Sequence, residues 1–429
     1  MQYYLKVGKR IFLSLVLCMA IVLTLPGMAN AQEQPFWSYA TKSELYLNAI
    51  GGVSRVCYDR ANTDDPFIHV EDYDSEFVLQ ARHEIPKELP LYGCFFKGAD
   101  YYYLIFGQNN QNEDNNTEVI RVVKYTKNWE RVSHASLFGA NTTKPFDFGN
   151  CRCAEAGGIL YIRTCHVMYK SRDGLNHQAN MMLAVRESDM VFTDVNAGVS
   201  YLETGYVSHS FDQYVITDQQ GNIVALDLGD AYPRAVVLTR YDGKAGSETL
   251  GYVSSATIHK INGKIGDNNT GVTIGGFAET DTGYVTLYNS NNNNSHGIRS
   301  VYLTYINKSD LSTTTTQLSA PEVHTSTPLL VSAGTSGGYI MWRDTSTQII
   351  YYTQYFADGS IGEFHAVNVR ASSYPKPIYY NGKFIWIFGL GEVPAGQSLG
   401  SERINKRIEI HQLDMDTAAV ETKVIPIQD

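Results

Sequence analysis

Nowhere does the chain gather lysine and arginine into a patch, and across 429 residues its 34 basic side chains are outnumbered by 44 acidic ones. Nucleic acid and anionic membranes both reward basic clusters, so neither is expected as a partner. Only one long apolar run is present, at the N-terminus, so no membrane span is expected in the chain that follows it. Pro- or Ser-rich linkers and shifts of composition are missing, which argues against a string of separate domains. Amphipathic helical periodicity is scarce. At 429 residues the chain is too long for one ordinary core, which leaves a repeat or a barrel.

What is there begins with the order of a secretory signal. Lys6, Lys9 and Arg10 precede an apolar run from Ile11 to Leu25, followed by Pro26 and the small-residue site Ala29-Asn30-Ala31. Pro26 stops the run short of the about 20 residues that a span requires. Cys18 follows Leu17 rather than a small residue, which argues against lipid attachment. The expectation is a cleaved signal peptide over residues 1–31 and a protein secreted to the periplasm or beyond. Cleavage removes three basic residues and no acidic one, so the formal charge of −10 becomes −13.

Thirty tyrosines with abundant Thr, Asn and Gly point to an all-β protein. A Gly turn followed by a short apolar or aromatic strand recurs at Gly98, Gly158, Gly221, Gly283, Gly338 and Gly382. Each is followed, after a polar interval, by an alternating strand: Val119–Tyr125, Met181–Arg186, Ala235–Arg240, Val301–Ile306, Ile349–Phe356 and Ile408–Leu413. The glycines step by 60, 63, 62, 55 and 44 residues, in or somewhat above the range of propeller blades. Short segments before each turn, such as Asn150–Glu155 and Val207–Val215, supply inner strands. The N-terminal stretch adds a further blade through Val53–Asp59, Phe67–Val70 and Phe77–Arg82. The expected fold is a single β-propeller, seven blades first and six second, with blades near 32–90, 91–144, 145–204, 205–270, 271–322, 323–371 and 372–429. Closure into a ring also protects the strand edges. The Asn-rich stretches Gln108–Asn116 and Asn289–Ser295 read as loop tips that bury nothing, and Lys244–Asn269 as an insertion.

Catalytic signatures are incomplete. Gly396-Gln397-Ser398-Leu399-Gly400 has the form of a nucleophile elbow, but only His411 follows it and no Asp lies between. A glycosidase requires two carboxylates flanking its bond, for which Asp147, Asp212 and Glu279 are candidates. Ser171-Arg172-Asp173-Gly174 is only a fragment of a sialidase turn, and the tryptophans at 37, 129, 342 and 386 complete none. No catalytic residue is therefore assigned.

Five cysteines survive cleavage, and that odd number leaves at least one thiol free or paired with another chain. Cys151-x-Cys153 has the spacing of half a metal site, but no second Cys-x-Cys or Cys-x-x-Cys completes it, and no metal or other cofactor is expected. With a two-residue loop at Gly157-Gly158, Cys153 opposes Ile162 and Cys165 falls on the other face. A three-residue loop through Ile159 instead sets Cys151 opposite Cys165, and that pair is the candidate disulfide.

The densest polar cluster is Ser208-His209-Ser210-Phe211-Asp212-Gln213, followed after the Gly221 turn by Asp227-Leu228-Gly229-Asp230-Ala231-Tyr232-Pro233-Arg234. On a regular strand His209 and Phe211 face one way and Ser208, Ser210 and Asp212 the other. Arg152, His209, Asp212, Gln213, Asp230 and Arg234 are the candidate ligand-binding residues. Structural duty competes for several of them, since Asp230 can accept turn N–H bonds and Arg234 can pair with an acid. These two segments resemble a strand–turn–strand of poorly characterised exported bacterial β-propeller and β-repeat proteins. The resemblance covers about 30 residues and implies placement among such propellers, without an activity to transfer. The expected function is non-catalytic binding of a glycan, peptide or partner protein on the channel face, helped by exposed tyrosines. The alternative is a carbohydrate-active hydrolase or lyase that uses channel carboxylates.

Overall fold

The structure, a computed structural model, describes residues 43–58, 65–147, 149–199, 208–242, 246–291, 297–326, 328–369, 377–392 and 404–426. The expected signal peptide and the Gly396–Gly400 motif lie outside them. Among the described residues there are strands and turns and no helix, hence none long and apolar enough to cross a membrane.

Seven antiparallel sheets follow one another along the chain, each built on a four-stranded meander in sequence order, and the third carries a further short strand off that path. Blade 1 is β1 (Ser43–Leu47), β2 (Val53–Cys57), β3 (Phe67–Tyr73) and β4 (Leu79–Pro86). Blade 2 is β5 (Leu91–Lys97), β6 (Tyr102–Gly107), β7 (Glu118–Tyr125) and β8 (Arg131–Phe138). Blade 3 begins with the short β9 (Thr142–Pro145), then β10 (Cys151–Ala156), β11 (Ile159–Lys170), β12 (Asn176–Arg186) and β13 (Val191–Asn196). Blade 4 is β14 (Ser208–Thr217), β15 (Ile223–Ala231), β16 (Ala235–Asp242) and β17 (Gly251–Lys260). Blade 5 is β18 (Val272–Glu279), β19 (Gly283–Ser290), β20 (Ser300–Asn307) and β21 (Thr313–Gln317). Blade 6 is β22 (Leu329–Ser332), β23 (Gly337–Arg343), β24 (Ile350–Phe356) and β25 (His365–Val367). Blade 7 is β26 (Ile378–Tyr380), β27 (Lys383–Glu392), β28 (Ile404–Asp414) and β29 (Val420–Pro426). First strands of successive blades contact one another, and β1 meets β26 to close the ring. The chain is a seven-bladed β-propeller.

Second strands are sandwiched between neighbouring blades, which is why they begin as apolar runs: β6, β15 and β19 are buried at every position, the polar ones included. Outer strands have one covered face at most. All five residues of β21 are exposed. The tyrosines expected at the surface are largely core residues instead. Tyr73, Tyr103, Tyr161, Tyr284, Tyr288, Tyr352 and Tyr355 are fully buried, and several place their hydroxyl on a carboxylate, as Tyr103 does on Glu187 at 2.9 Å and Tyr284 on Asp218 at 2.6 Å.

Two loop expectations also change. Within Gln108–Asn116, Asn110 is buried: its N–H donates to the Thr143 carbonyl at 2.7 Å and its side chain donates to Tyr169 Oη, so this tip is anchored to blade 3. Lys244–Asn269 is not an insertion, because it contains β17, the outer strand of blade 4.

Candidate functional site

Ala156 pairs with Ile159, so the β10–β11 hairpin has the two-residue loop Gly157-Gly158, both residues with positive φ (58° and 78°). That register sets Cys153 opposite Ile162 and Cys151 opposite Thr164. The proposed Cys151–Cys165 disulfide is therefore not formed; both sulfurs are free thiols with other partners. Cys165 donates to the Asp147 carbonyl at 2.9 Å and accepts from Gln178.

Alternation along β10 sends Cys151 and Cys153 to one face and Arg152 to the other. The cysteine face meets blade 2. Here Cys94 of β5, which follows an irregularity in the β5–β6 register, brings its Sγ to 3.2 Å from that of Cys151 and 3.7 Å from that of Cys153. Cys94 and Cys151 are buried and Cys153 half-buried, at the edge of the apolar core between blades 2 and 3. Burial pushes the Cys94 and Cys153 thiols up. Burial also opposes ionisation of Cys151, but hydrogen bonds from Cys153 and Cys94 and the nearby Arg152 charge outweigh it and bring that thiol down to about 6. No second Cys-x-Cys or Cys-x-x-Cys stands beside Cys151-x-Cys153, but a lone third thiol, Cys94, reaches it from the neighbouring blade.

The arginine face meets blade 4. Arg152 lies directly opposite Arg163 on β11, and both look toward acids of blade 4. Arg163 is buried and grips Asp227 with two hydrogen bonds, 3.0 and 2.5 Å, while its third nitrogen donates to Tyr241 Oη at 2.9 Å. Arg152 is only half-buried. Its guanidinium lies 5.4 Å from the Tyr214 ring centre and, among the described residues, donates one hydrogen bond, to the Cys151 carbonyl at 3.2 Å. Burial works against its charge, but Tyr214, Asp212 and Glu44 outweigh it and hold its pKa above the usual arginine value.

Asp212 and Gln213 belong to the same interface. A bulge in β14 between Ser210 and Asp212 breaks the regular alternation. As a result two sequence neighbours serve Asn150: its side-chain amide donates to Asp212, its backbone N–H donates to Gln213 Oε1 at 2.8 Å, and its Oδ1 accepts from the Gln213 N–H at 3.0 Å. Gly149 is required next to this clamp, since a Cβ there would collide with the Cys165 sulfur and Gln213 Oε1.

Three candidates sit elsewhere in blade 4: His209 near the start of β14, Asp230 near the end of β15 and Arg234 just before β16. Asp230 pairs with Arg234 and accepts the Asn268 N–H at 2.6 Å. Arg234 donates to the carbonyls of Asn262, Lys264 and Asn269. His209, at φ 49°, reaches Asn268 Oδ1 at 3.2 Å. This set fastens the 262–269 connection to the blade and is not joined to Arg152.

The inner strands carry few described acids, and the protein occupies each. Glu44 accepts the Phe95 N–H, Glu155 the Ala99 N–H at 2.7 Å, Asp212 the Asn150 amide, and Glu279 both Lys308 Nζ at 2.6 Å and the Gln219 N–H. Asp147 differs. It lies before β10, half-buried, its carboxylate accepts no hydrogen bond among the described residues, and burial raises its pKa.

No protein-family model matches the chain, and no curated protein matches it in sequence. Among solved structures it is similar to a putative 6-phosphogluconolactonase from Bacteroides fragilis (9% identity, 91% of this chain and 96% of that one, TM-score 0.49). It is likewise similar to the WD40 domain of SCAP from fission yeast (9% identity, 90% and 87%, TM-score 0.46). A third is a GH43 β-xylosidase/α-arabinofuranosidase from a compost microbial metagenome (11% identity, 63% and 93%, TM-score 0.33).

Proposed function

We propose that this protein is an exported, non-catalytic β-propeller that binds an anionic group of a glycan, peptide or partner protein on its channel face, anchored by Arg152 and Tyr214. Arg152 carries the reading. It is an inner-strand guanidinium, half-buried, oriented by a ring and by one carbonyl, with Nε and Nη2 donating to nothing among the described residues. A planar fork held in this way matches a carboxylate in two-point contact. The N-terminal signal pattern supports export. Against catalysis stands the engagement of every described inner-strand carboxylate, since glycoside hydrolysis uses two carboxyl groups, one of them able to give a proton.

The test is a glycan and acidic-peptide array with the purified protein, run beside a hydrolysis screen on the hits. Uronate-bearing glycans or acidic peptides bind without turnover, and Arg152→Met weakens them at least about tenfold, or about 1.4 kcal/mol. Asp147, with its raised pKa, favours a second reading as a carbohydrate-active enzyme. Turnover of a hit that disappears in Asp147→Asn establishes that reading and sinks the first.

A further inference from the structure

Three thiols converging from two blades have no task in the ligand site proposed above, because they occupy the opposite face of β10. Their geometry is specific. The i, i+2 spacing of Cys151 and Cys153 aligns two sulfurs on one strand face, and Cys94 places the third across the blade boundary, all three within 4.8 Å of one another. A cation with metal–sulfur bonds of about 2.3 Å sets its sulfurs about 3.8 Å apart when tetrahedral and about 4.0 Å apart when trigonal. The observed 3.7 Å lies within about 0.3 Å of those values, and the 3.2 Å separation opens by about 0.6–0.8 Å to reach them. At 3.2 Å the Cys94 and Cys151 sulfurs form no disulfide, and no carboxylate or imidazole among the described residues belongs to the cluster. An all-thiolate donor set selects soft cations over Mg²⁺, Ca²⁺ or Mn²⁺.

We propose that Cys94, Cys151 and Cys153 form a binding site for one thiophilic d10 cation, Cu⁺ or Zn²⁺, that ties the inner strand of blade 2 to that of blade 3. Three thiolates complete the shell of Cu⁺. Zn²⁺ takes the same three and keeps a fourth position on the side of half-buried Cys153, the pattern of an open zinc site. Binding requires all three thiols deprotonated, so it releases protons and tightens with rising pH. The ion joins residues 57 positions apart only in the folded ring, so it stabilises the folded state.

The experiment uses the purified protein, reduced and handled without oxygen, with Co²⁺ as the spectroscopic probe, Zn²⁺ as its competitor, and Cu⁺ titrated against a coloured Cu⁺ chelator. One equivalent binds, Co²⁺ gives a thiolate charge-transfer band, and the thermal midpoint rises on loading. The Cu⁺ and Zn²⁺ arms rank the two ions. Cys94→Ser, Cys151→Ser and Cys153→Ser each weaken binding by more than the about 10–100-fold that loss of an outer partner costs, whereas Cys57→Ser leaves it unchanged. Cys153→Ser alters the least buried of the three and keeps the test clear of misfolding. Alkylation mapped by mass spectrometry gives a second readout, with these three thiols protected in the loaded protein and Cys57 not. Failure of the reduced protein to retain any of the three ions overturns the proposal, as does binding that survives all three serine variants. A Cys94–Cys151 disulfide in the protein isolated from its source overturns it too.

Discussion

Strand β10 separates two interfaces of opposite character. Toward blade 2 it presents Cys151, Cys153 and, at its end, Glu155, and β11 continues that face with Leu160, Ile162, Thr164 and the buried His166; around the thiols the contact is apolar, and its charged groups, Glu155, Lys124 and Glu187, gather at one end. Toward blade 4 it presents Arg152, and β11 continues with Tyr161 and Arg163, which meet Asp212, Asp227 and Tyr241. Each side of one sheet thus uses a different means of joining blades. On the first, burial does the work around the thiols, and polar contacts are confined to its Glu155–Glu187 end. On the second, charges are removed from water and must be compensated in full, because a lone buried charge costs far more than its pair contributes. The same six-residue strand can serve both because its side chains alternate.

The sharpest break of that contrast is Asp227→Ala. It leaves Arg163 charged and uncompensated between blades 3 and 4, and is expected to cost about 3–5 kcal/mol in denaturant unfolding. Replacing both partners, as Arg163→Met with Asp227→Leu, is expected to recover most of that loss. A double variant as unstable as the single one shows that the pair itself, and not the orphaned charge, carries the interface.

Acid attacks the other face first. Burial holds His166 neutral, down at about 3 against an ordinary value of 6.5, with only the Ala197 carbonyl opposing. The sign follows from linkage: the unfolded chain takes up this proton near pH 6.5 and the folded one does not until about pH 3. Stability from this group is complete above pH 6.5 and falls as pH drops toward 3. The loss is about 2 kcal/mol by pH 5, at about 1.4 kcal/mol per unit. His166→Gln flattens that slope, and unfolding titrations between pH 7 and 5 measure it. An unchanged slope shows that this imidazole is not shielded as its burial implies. In metal-free protein, Cys151→Ala is expected to cost only about 1 kcal/mol, since the loss is one sulfur's packing in an apolar wall. A cost equal to that of Asp227→Ala would erase the distinction between the faces.

How much of this was legible in the sequence follows the same logic of burial. Second and third strands stand out because blades cover both their faces, so Ile223–Leu226 and Val301–Ile306 read as strands from composition alone. Outer strands do not: Thr313–Gln317 is five exposed polar residues, and β17 hides in a polar stretch. In the site, Asp212 and Gln213 are visible as a polar cluster on an inner strand. Their partner Asn150 is not, nor is Cys94 as the companion of Cys151, because ring closure and not local pattern joins residues 57 to 63 positions apart. The disulfide expectation failed on a single residue of loop length, since a one-residue change in register moves every side chain to the other face.

The smallest expected effect is also the most local probe of the charged face. Tyr161 is buried beside Arg163 on the blade 4 side, and its hydroxyl donates to the Ser247 carbonyl at 3.0 Å while accepting the Gly246 N–H at 2.9 Å. Both partners are half-exposed, so water can replace the hydroxyl, and Tyr161→Phe is expected to cost only about 0.5 kcal/mol, the low end for a hydrogen bond. The ring stays and so does its packing. If the loss instead approaches that of Asp227→Ala, the 246–247 segment depends on this hydroxyl to seal the Arg163–Asp227 pair from water, and the charged interface extends from the channel to the β16–β17 loop. Hydrogen exchange at the Gly246 amide separates the two outcomes: local release alone speeds that amide, whereas an unsealed pair also speeds the β11–β12 ladder.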